Sequence, residues 1–228
     1  MHIELQGISK SYTNNYGAPQ RDVLTDISME INAGDTVAII GPSGSGKSTL
    51  LNIMGTLDTP TTGKVLFDGT DIAQLPEQAL FKIRNQRIGF VFQMHHLLPQ
   101  LNLLENVLIP LIPNADKSKQ KSSVARAMDL LSQMGLADKI HQFPSQLSVG
   151  ECQRTAVVRA LINEPEIILA DEPTGSLDND AAGQLCDILL NIRKEYALAM
   201  VVVTHSAELA KRMDAAFKLT NGKLVQAS

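Results

Sequence analysis

Apolar positions along this chain follow a period of two, then a helical period, then two again. Ile3-Glu4-Leu5 alternates apolar with polar, and Val23 to Ile31 does so less cleanly, which predicts half-buried strands joined through the turn-rich Asn14-Asn15-Tyr16-Gly17-Ala18-Pro19. Val37-Ala38-Ile39-Ile40 is continuously apolar, as a strand covered on both faces must be. Lys64 to Gly69 predicts a strand ending in an Asp-Gly turn, residues 76–86 a short helix, and Ile88 to Phe92 a buried strand closed by Gln93. From 94 to 165 the strand signals stop. Leu101 to Ile112 is apolar and bracketed by Pro110 and Pro113, Lys117 to Lys121 is a solvated charge run, and Ser122 to Met134 has helical spacing with Gly135 as its C-cap. A third helix starts at Ser148. Strand signals resume at Ile167-Ile168-Leu169-Ala170, followed by a helix from Asp180 to Glu195, a strand from Leu198 to Val203, and a hairpin around Asn221-Gly222. The pattern predicts an α/β core interrupted by a helical block.

Chemistry collects where the buried strands end. Gly41-Pro42-Ser43-Gly44-Ser45-Gly46-Lys47-Ser48, with Thr49 next, fits Gly-x-x-x-x-Gly-Lys-Ser between a strand and a helix. Its glycines let backbone N–H groups converge on phosphate oxygens, and the positive end of the following helix points the same way. Lys47 is placed for the β- and γ-phosphates, and the Ser48 hydroxyl for Mg²⁺. Asp171-Glu172 follows a four-residue apolar strand. Asp171 is suited to holding the metal and Glu172, aimed differently, to polarising an attacking water. Gln93 and His205 also stand at carboxyl ends of strands, where open α/β sheets gather ligand contacts, and a neutral imidazole at His205 suits holding γ-phosphate and water in register. Tyr12 ends the first strand, either as a half-buried strand aromatic or as a stacking surface for a base. Ser148 is a natural N-cap, and a helix N-terminus binds anions, so it can form half of a phosphate site serving a nucleotide held by another copy.

Composition narrows the class further. The 228 residues are 44% hydrophobic and 19% charged, which suits one large α/β unit. A formal charge of −4 argues against a protein that wraps nucleic acid through a basic surface. The longest apolar runs, Ala197 to Val203 and Val107 to Ile112, fall far short of the ~20 residues a membrane-spanning helix needs. The opening Met1-His2-Ile3-Glu4 lacks a secretory pattern, and Cys152 and Cys186 follow no metal or disulfide spacing, so a cytoplasmic protein is expected.

Taken in order, these landmarks resemble the nucleotide-binding subunits of ABC transporters over essentially the whole chain. The resemblance implies a RecA-like P-loop NTPase core with an N-terminal antiparallel β subdomain, spanning about 1–93 and 166–228, and an inserted α-helical subdomain at about 94–165. It assigns Tyr12 to the base, Gly41 to Ser48 to Walker A, Gln93 to the Q-loop and the metal, and Leu147 to Glu151 to the signature. Asp171-Glu172 matches Walker B and the catalytic Glu, Ser176-Leu177-Asp178 the D-loop, and His205 the switch His. It further implies ATP and Mg²⁺ as cofactors and a head-to-tail homodimer whose two ATP molecules lie between Walker A of one copy and Ser148, Gly150 and Asp178 of the other. An integral membrane permease docks near Gln93, which places the subunit on the cytoplasmic face of the inner membrane. Phe92-Gln93-Met94-His95-His96-Leu97-Leu98-Pro99, Leu104 to Val107 and Leu209 to Met213 are similar to the LolD, MacB and FtsE group, and within it to lipoprotein release. The alternatives are a MacB-type efflux ATPase and an FtsE-like division regulator. Val149 and Cys152 depart from the usual Leu-Ser-Gly-Gly-Gln signature, and a β-branched Val149 is expected to restrict the backbone there.

Overall fold

A computed structural model describes residues 1–12, 21–114 and 120–227. The loop at 14–19 and positions 117–119 of the charge run lie outside the described residues. In chain order the elements are β1 (Ile3–Tyr12), β2 (Arg21–Ile31), β3 (Thr36–Ile40), α1 (Lys47–Met54), β4 (Thr62–Phe67), β5 (Thr70–Asp71), α2 (Glu77–Gln86) and β6 (Ile88–Val91). Then come α3 (Leu103–Leu108), α4 (Gln120–Gln133), α5 (Val149–Leu161), β7 (Ile167–Asp171), α6 (Asn179–Tyr196), β8 (Ala199–Val203), α7 (Ala207–Lys211), β9 (Ala215–Thr220) and β10 (Lys223–Gln226).

Two sheets form. β2-β1-β4-β5 is antiparallel throughout, and β10-β9-β3-β8-β7-β6 is parallel apart from β10 at its edge. The continuous apolar runs are the central strands of the parallel sheet, because each must bury both faces. Alternate residues serve different cores. Ile39, Leu169, Val201 and Val203 face α1 and the antiparallel sheet, while Ala38, Ile168, Ala170, Met200 and Val202 face the helices. Each fully buried aliphatic of this kind contributes about 1.5–3 kcal/mol. α1 lies close on the sheet at Gly55, where a Cβ would sit 2.3 Å from the Phe90 ring.

Among the described residues no strand lies between β6 and β7, as the periodicity predicts. The helices there are not detached from the sheet: Leu103, Val107, Leu130, Leu131 and Val158 share one core with Val91, Ile168 and Met200. Gly135 takes φ 69°, the left-handed conformation a helix C-cap requires. Asn221 and Gly222 turn β9 into β10 with φ 51° and 75°.

The structure departs from the sequence pattern at the end of β6, in the run of β1 and in two short elements. β6 stops at Val91 rather than Phe92, whose carbonyl instead accepts a 2.8 Å hydrogen bond from Gln153 Nε2 of α5. β1 runs to Tyr12 through register shifts after Leu5 that break its alternation, with Gly7 at φ 59°. β5 and α7 are two and five residues long, too short to show a period.

Candidate nucleotide-binding site

The loop leaving β3 is built around close approaches that only glycine allows. At Gly41 a Cβ would stand 2.2 Å from the Leu219 carbonyl oxygen, and Gly46 caps α1 at φ 102° against Val23 and Leu24. The loop folds around Lys47, which is buried at 6% exposure and whose Nζ donates to the carbonyls of Gly41 and Pro42, both at 3.0 Å. An ammonium held this way stands at the loop's centre, and no carboxylate pairs with it among the described residues.

A cleft of about 510 Å³ opens over the loop, lined by Tyr12, Ser43, Gly44, Gly46, Lys47, Ser48 and Thr49 on one side and by Gln93, Asp171, Glu172 and His205 on the other. The strand-end residues thus converge, although they come from four different strands. Gln93 reaches it from two residues beyond the end of β6. Of the loop residues, Pro42 and Ser45 face an adjoining cleft of about 260 Å³ instead, and Gly41 is packed beneath Leu219.

Glu172 takes φ 47°, a left-handed turn costing about 1 kcal/mol for a residue with a Cβ. Its N–H donates to Val203 O at 2.8 Å, which fixes the turn over the end of β8. The carboxylate then meets His205 twice: Oε1 lies 3.0 Å from Nε2, and Oε2 accepts from the His205 backbone N–H at 3.1 Å. His205 Nε2 is also 3.4 Å from Lys47 Nζ. One nitrogen cannot donate to Glu172 and accept from Lys47 together, and the shorter contact assigns its proton toward Glu172. Asp171 behaves differently, since its Oδ1 is buried and has no hydrogen-bond partner. A buried carboxylate oxygen left bare is costly unless a donor or cation completes it. Among the described residues no three His, Cys, Asp or Glu side chains converge as a metal cluster. Ser48 and Gln93 supply further oxygen donors in the same cleft, a set that suits Mg²⁺ sharing phosphate oxygens and waters.

Tyr12 is 45% exposed, and its hydroxyl donates to Asp58 Oδ2 at 2.7 Å. Burial and that hydrogen bond push the phenol's pKa up, so the ring stays neutral. Lys10, bonded to Asp58 at 2.6 Å, stands 4.9 Å from the ring centre, so Tyr12 is oriented at both its tip and its face. Sequence reasoning missed Arg21 and Val23, which also line the cleft. Alternation along β2 places both on one face, a signal that could have found them.

Ser148, Gly150 and Asp178 do not line this cleft. Ser148 caps α5, its Oγ accepting from Glu151 N–H at 3.3 Å while Glu151 Oε2 accepts from Ser148 N–H at 2.8 Å. Asp178 caps α6 through Ala181 N–H at 2.8 Å. Val149 is the first residue of α5 and 51% exposed, so its β-branch is accommodated in ordinary helical backbone and the expected restriction is mild. At Gly150 a Cβ would meet Ala181 at an ordinary 3.6 Å, so packing within the chain does not demand glycine there.

The Glu151 carboxyl is held down to about 2 by the Lys139 ammonium and the Ser148 N–H. Its depressed folded-state value means stability that is present above about pH 4.5 and lost as pH falls toward 2. Glu151→Ala is therefore expected to cost about 1 kcal/mol at pH 7. In urea titrations at pH 7, 4 and 3 the gap from the parent narrows with each step down; a constant gap would remove the charge from that role.

A glycine loop leading from a buried parallel strand into a helix, with an acidic pair ending a nearby strand, defines a P-loop nucleotide-binding protein. The chain belongs to the ABC transporter family, whose description matches residues 24–175. It is 46% identical over 223 residues to the lipoprotein-releasing system ATP-binding protein LolD of Bacteroides fragilis (strain YCH46), covering 98% of this chain and 100% of that one. The LolD of Shewanella sp. (strain MR-4) is 44% identical, covering 97% and 94%. Among solved structures, the ATP-binding cassette MJ0796, in a dimeric post-hydrolysis state bound to ADP and Pi, superposes with a TM-score of 0.86 at 36% identity and covers 98% of both chains. No helix among the described residues is long and apolar enough to cross a membrane.

Proposed function

We propose that this chain is the ATP-hydrolysing subunit of an inner-membrane ABC complex that releases lipoproteins. The observation that carries this reading is the identity of 43–47% to lipoprotein-releasing ATP-binding proteins over nearly the full length of both chains. In the cleft, the adenine stacks on Tyr12 and the phosphates lie in the loop Gly41 to Ser48, with Thr49 behind it. Ser48, Gln93 and Asp171 hold Mg²⁺, which fits the bare Asp171 Oδ1. When bound, the ion neutralises charge on the β- and γ-phosphates.

Glu172 accepts the proton of a water that attacks the γ-phosphorus in line, the bond to the ADP oxygen breaks, and ADP and phosphate leave. Lys47 supplies positive charge to the γ-phosphate oxygens, and His205 holds Glu172 and the phosphate in register. Two copies assemble head to tail, so that Ser148, Gly150 and Asp178 of one close over the nucleotide of the other. Residues 1–93 and 166–228 act as catalytic core with β subdomain, and 94–165 as the helical subdomain that passes the motion on. A groove of about 350 Å³ beside the Gln93 segment, lined by Phe90, Phe92, His96, Pro110 and Arg159, gives a membrane permease a seat, so the subunit is held peripherally on the cytoplasmic side of that membrane. Arg159 shapes the groove's rim by donating to the carbonyls of His96 at 2.7 Å and His95 at 2.6 Å.

The test is reconstitution with the native permease in proteoliposomes carrying a triacylated lipoprotein. Mg-ATP is expected to release lipoprotein to a soluble acceptor, and the parent chain without permease to release none. ATP turnover with no release, or co-purification with a division-site partner instead, would overturn the lipoprotein reading.

A further inference from the structure

We propose that Arg21 is a nucleotide-affinity residue that pairs with the α-phosphate, an inference that rests on the cleft being an ATP site. In the β1–β2 register Arg21 stands directly opposite Tyr12, so the two side chains leave the same face of the sheet side by side. Arg21 lines the 510 Å³ cleft and also the adjoining 260 Å³ one, and Ser43 and Gly44 are common to both. It therefore stands at the tip of the phosphate loop, between the base platform and the phosphate cradle. A nucleotide with its base on Tyr12 and its terminal phosphates at Lys47 has its α-phosphate in that interval.

Arg21 is also uncommitted. Arg84, Arg87, Arg126, Arg159, Arg193 and Arg212 each hold a carboxylate or a carbonyl, and Arg154, whose Nε is buried without a partner, does not line the cleft. No such partner holds Arg21 among the described residues. Its neighbour Asp22 also lines the 260 Å³ cleft but not the 510 Å³ one, and accepts from Ser11 Oγ at 2.7 Å rather than pairing with Arg21. The other cations near the cleft are engaged, Lys10 by Asp58 at 2.6 Å and Lys47 by the Gly41 and Pro42 carbonyls at 3.0 Å. An exposed guanidinium with five free donors is suited to a phosphate that arrives with the ligand, and it serves ATP and ADP alike because both carry the α-phosphate.

The experiment is calorimetric titration of ATP and of ADP into the full chain, comparing parent, Arg21→Gln and Arg21→Lys at two salt concentrations. Arg21→Gln is expected to weaken both nucleotides about tenfold, the size of a charge-assisted hydrogen bond, and to reduce the salt dependence of binding. Arg21→Lys is expected to recover most of the loss. Parent-like affinity in Arg21→Gln overturns the proposal, as does weakening of ATP alone, or a loss that Lys does not rescue and salt does not alter. A parent chain that fails to bind ATP would instead overturn the reading of the cleft itself. Arg21 is exposed at the start of β2, so the fold does not depend on its side chain.

Discussion

Glu172→Gln is expected to bind ATP with parental affinity, to lose about 100- to 10,000-fold in turnover, and to accumulate as an ATP-bound dimer. The amide keeps the shape of the side chain and can still pair with His205, now 3.0 Å from Oε1, so the turn at φ 47° is retained. It cannot take a proton from water. Binding is expected to be spared because the phosphates of the proposed site meet Lys47 and the loop amides, none of which Glu172 contacts directly among the described residues. Hydrolysis is the step that reopens the proposed dimer, so blocking it fixes the closed state. Single-turnover phosphate release and size-exclusion chromatography with ATP check the two halves. Unchanged phosphate release would remove Glu172 from its role as base.

That prediction draws on what the amino-acid pattern could show and on what it could not. The glycine loop, the acidic pair and the polar strand ends were legible because each depends on local chemistry: a buried strand must be apolar, and its end is where a polar residue is first tolerated. Their convergence was not legible from period alone, since it depends on the strand order β3-β8-β7-β6, which brings distant segments side by side. The end of β6 was misplaced by one residue because Gln153, some sixty positions away, takes the Phe92 carbonyl. Arg21 and Val23 went unnoticed for a related reason. Nothing in the local sequence says that the start of β2 lies against the phosphate loop; the contact of Gly46 with Val23 does. The shared core of the helical block and the sheet was likewise hidden, because helical spacing marks which face is buried but not what covers it.

The placement of the proposed site residues bears on why the proposed cycle needs two chains. The proposed base, phosphate and metal contacts all line one cleft, and Ser148, Gly150 and Asp178 stand outside it, Ser148 and Asp178 as helix caps. Gly150 is the sharpest case, since open packing gives it no structural reason to lack a side chain.

Gly150→Asp is accordingly expected to leave the single chain folded and able to bind ATP within about twofold of the parent, while ATP-dependent dimerisation and turnover fall by about 100-fold. Within the chain the added Cβ meets only Ala181, Arg154 and Leu177 at 3.6 Å or more, and an acidic group in the first turn of α5 complements the helix dipole. Folding stability is thus expected to hold or rise slightly, as glycine gives way to a residue with less freedom in the unfolded chain. The same carboxylate, presented at the helix end that is to meet a partner's γ-phosphate, opposes it with like charge. Gly150→Ala separates charge from bulk and is expected to lose far less. Equilibrium binding to the monomer, sedimentation with and without ATP, and steady-state turnover distinguish the outcomes. A Gly150→Asp chain whose monomer loses ATP affinity as severely as its dimer loses activity would place Gly150 at its own cleft and refute the two-chain site.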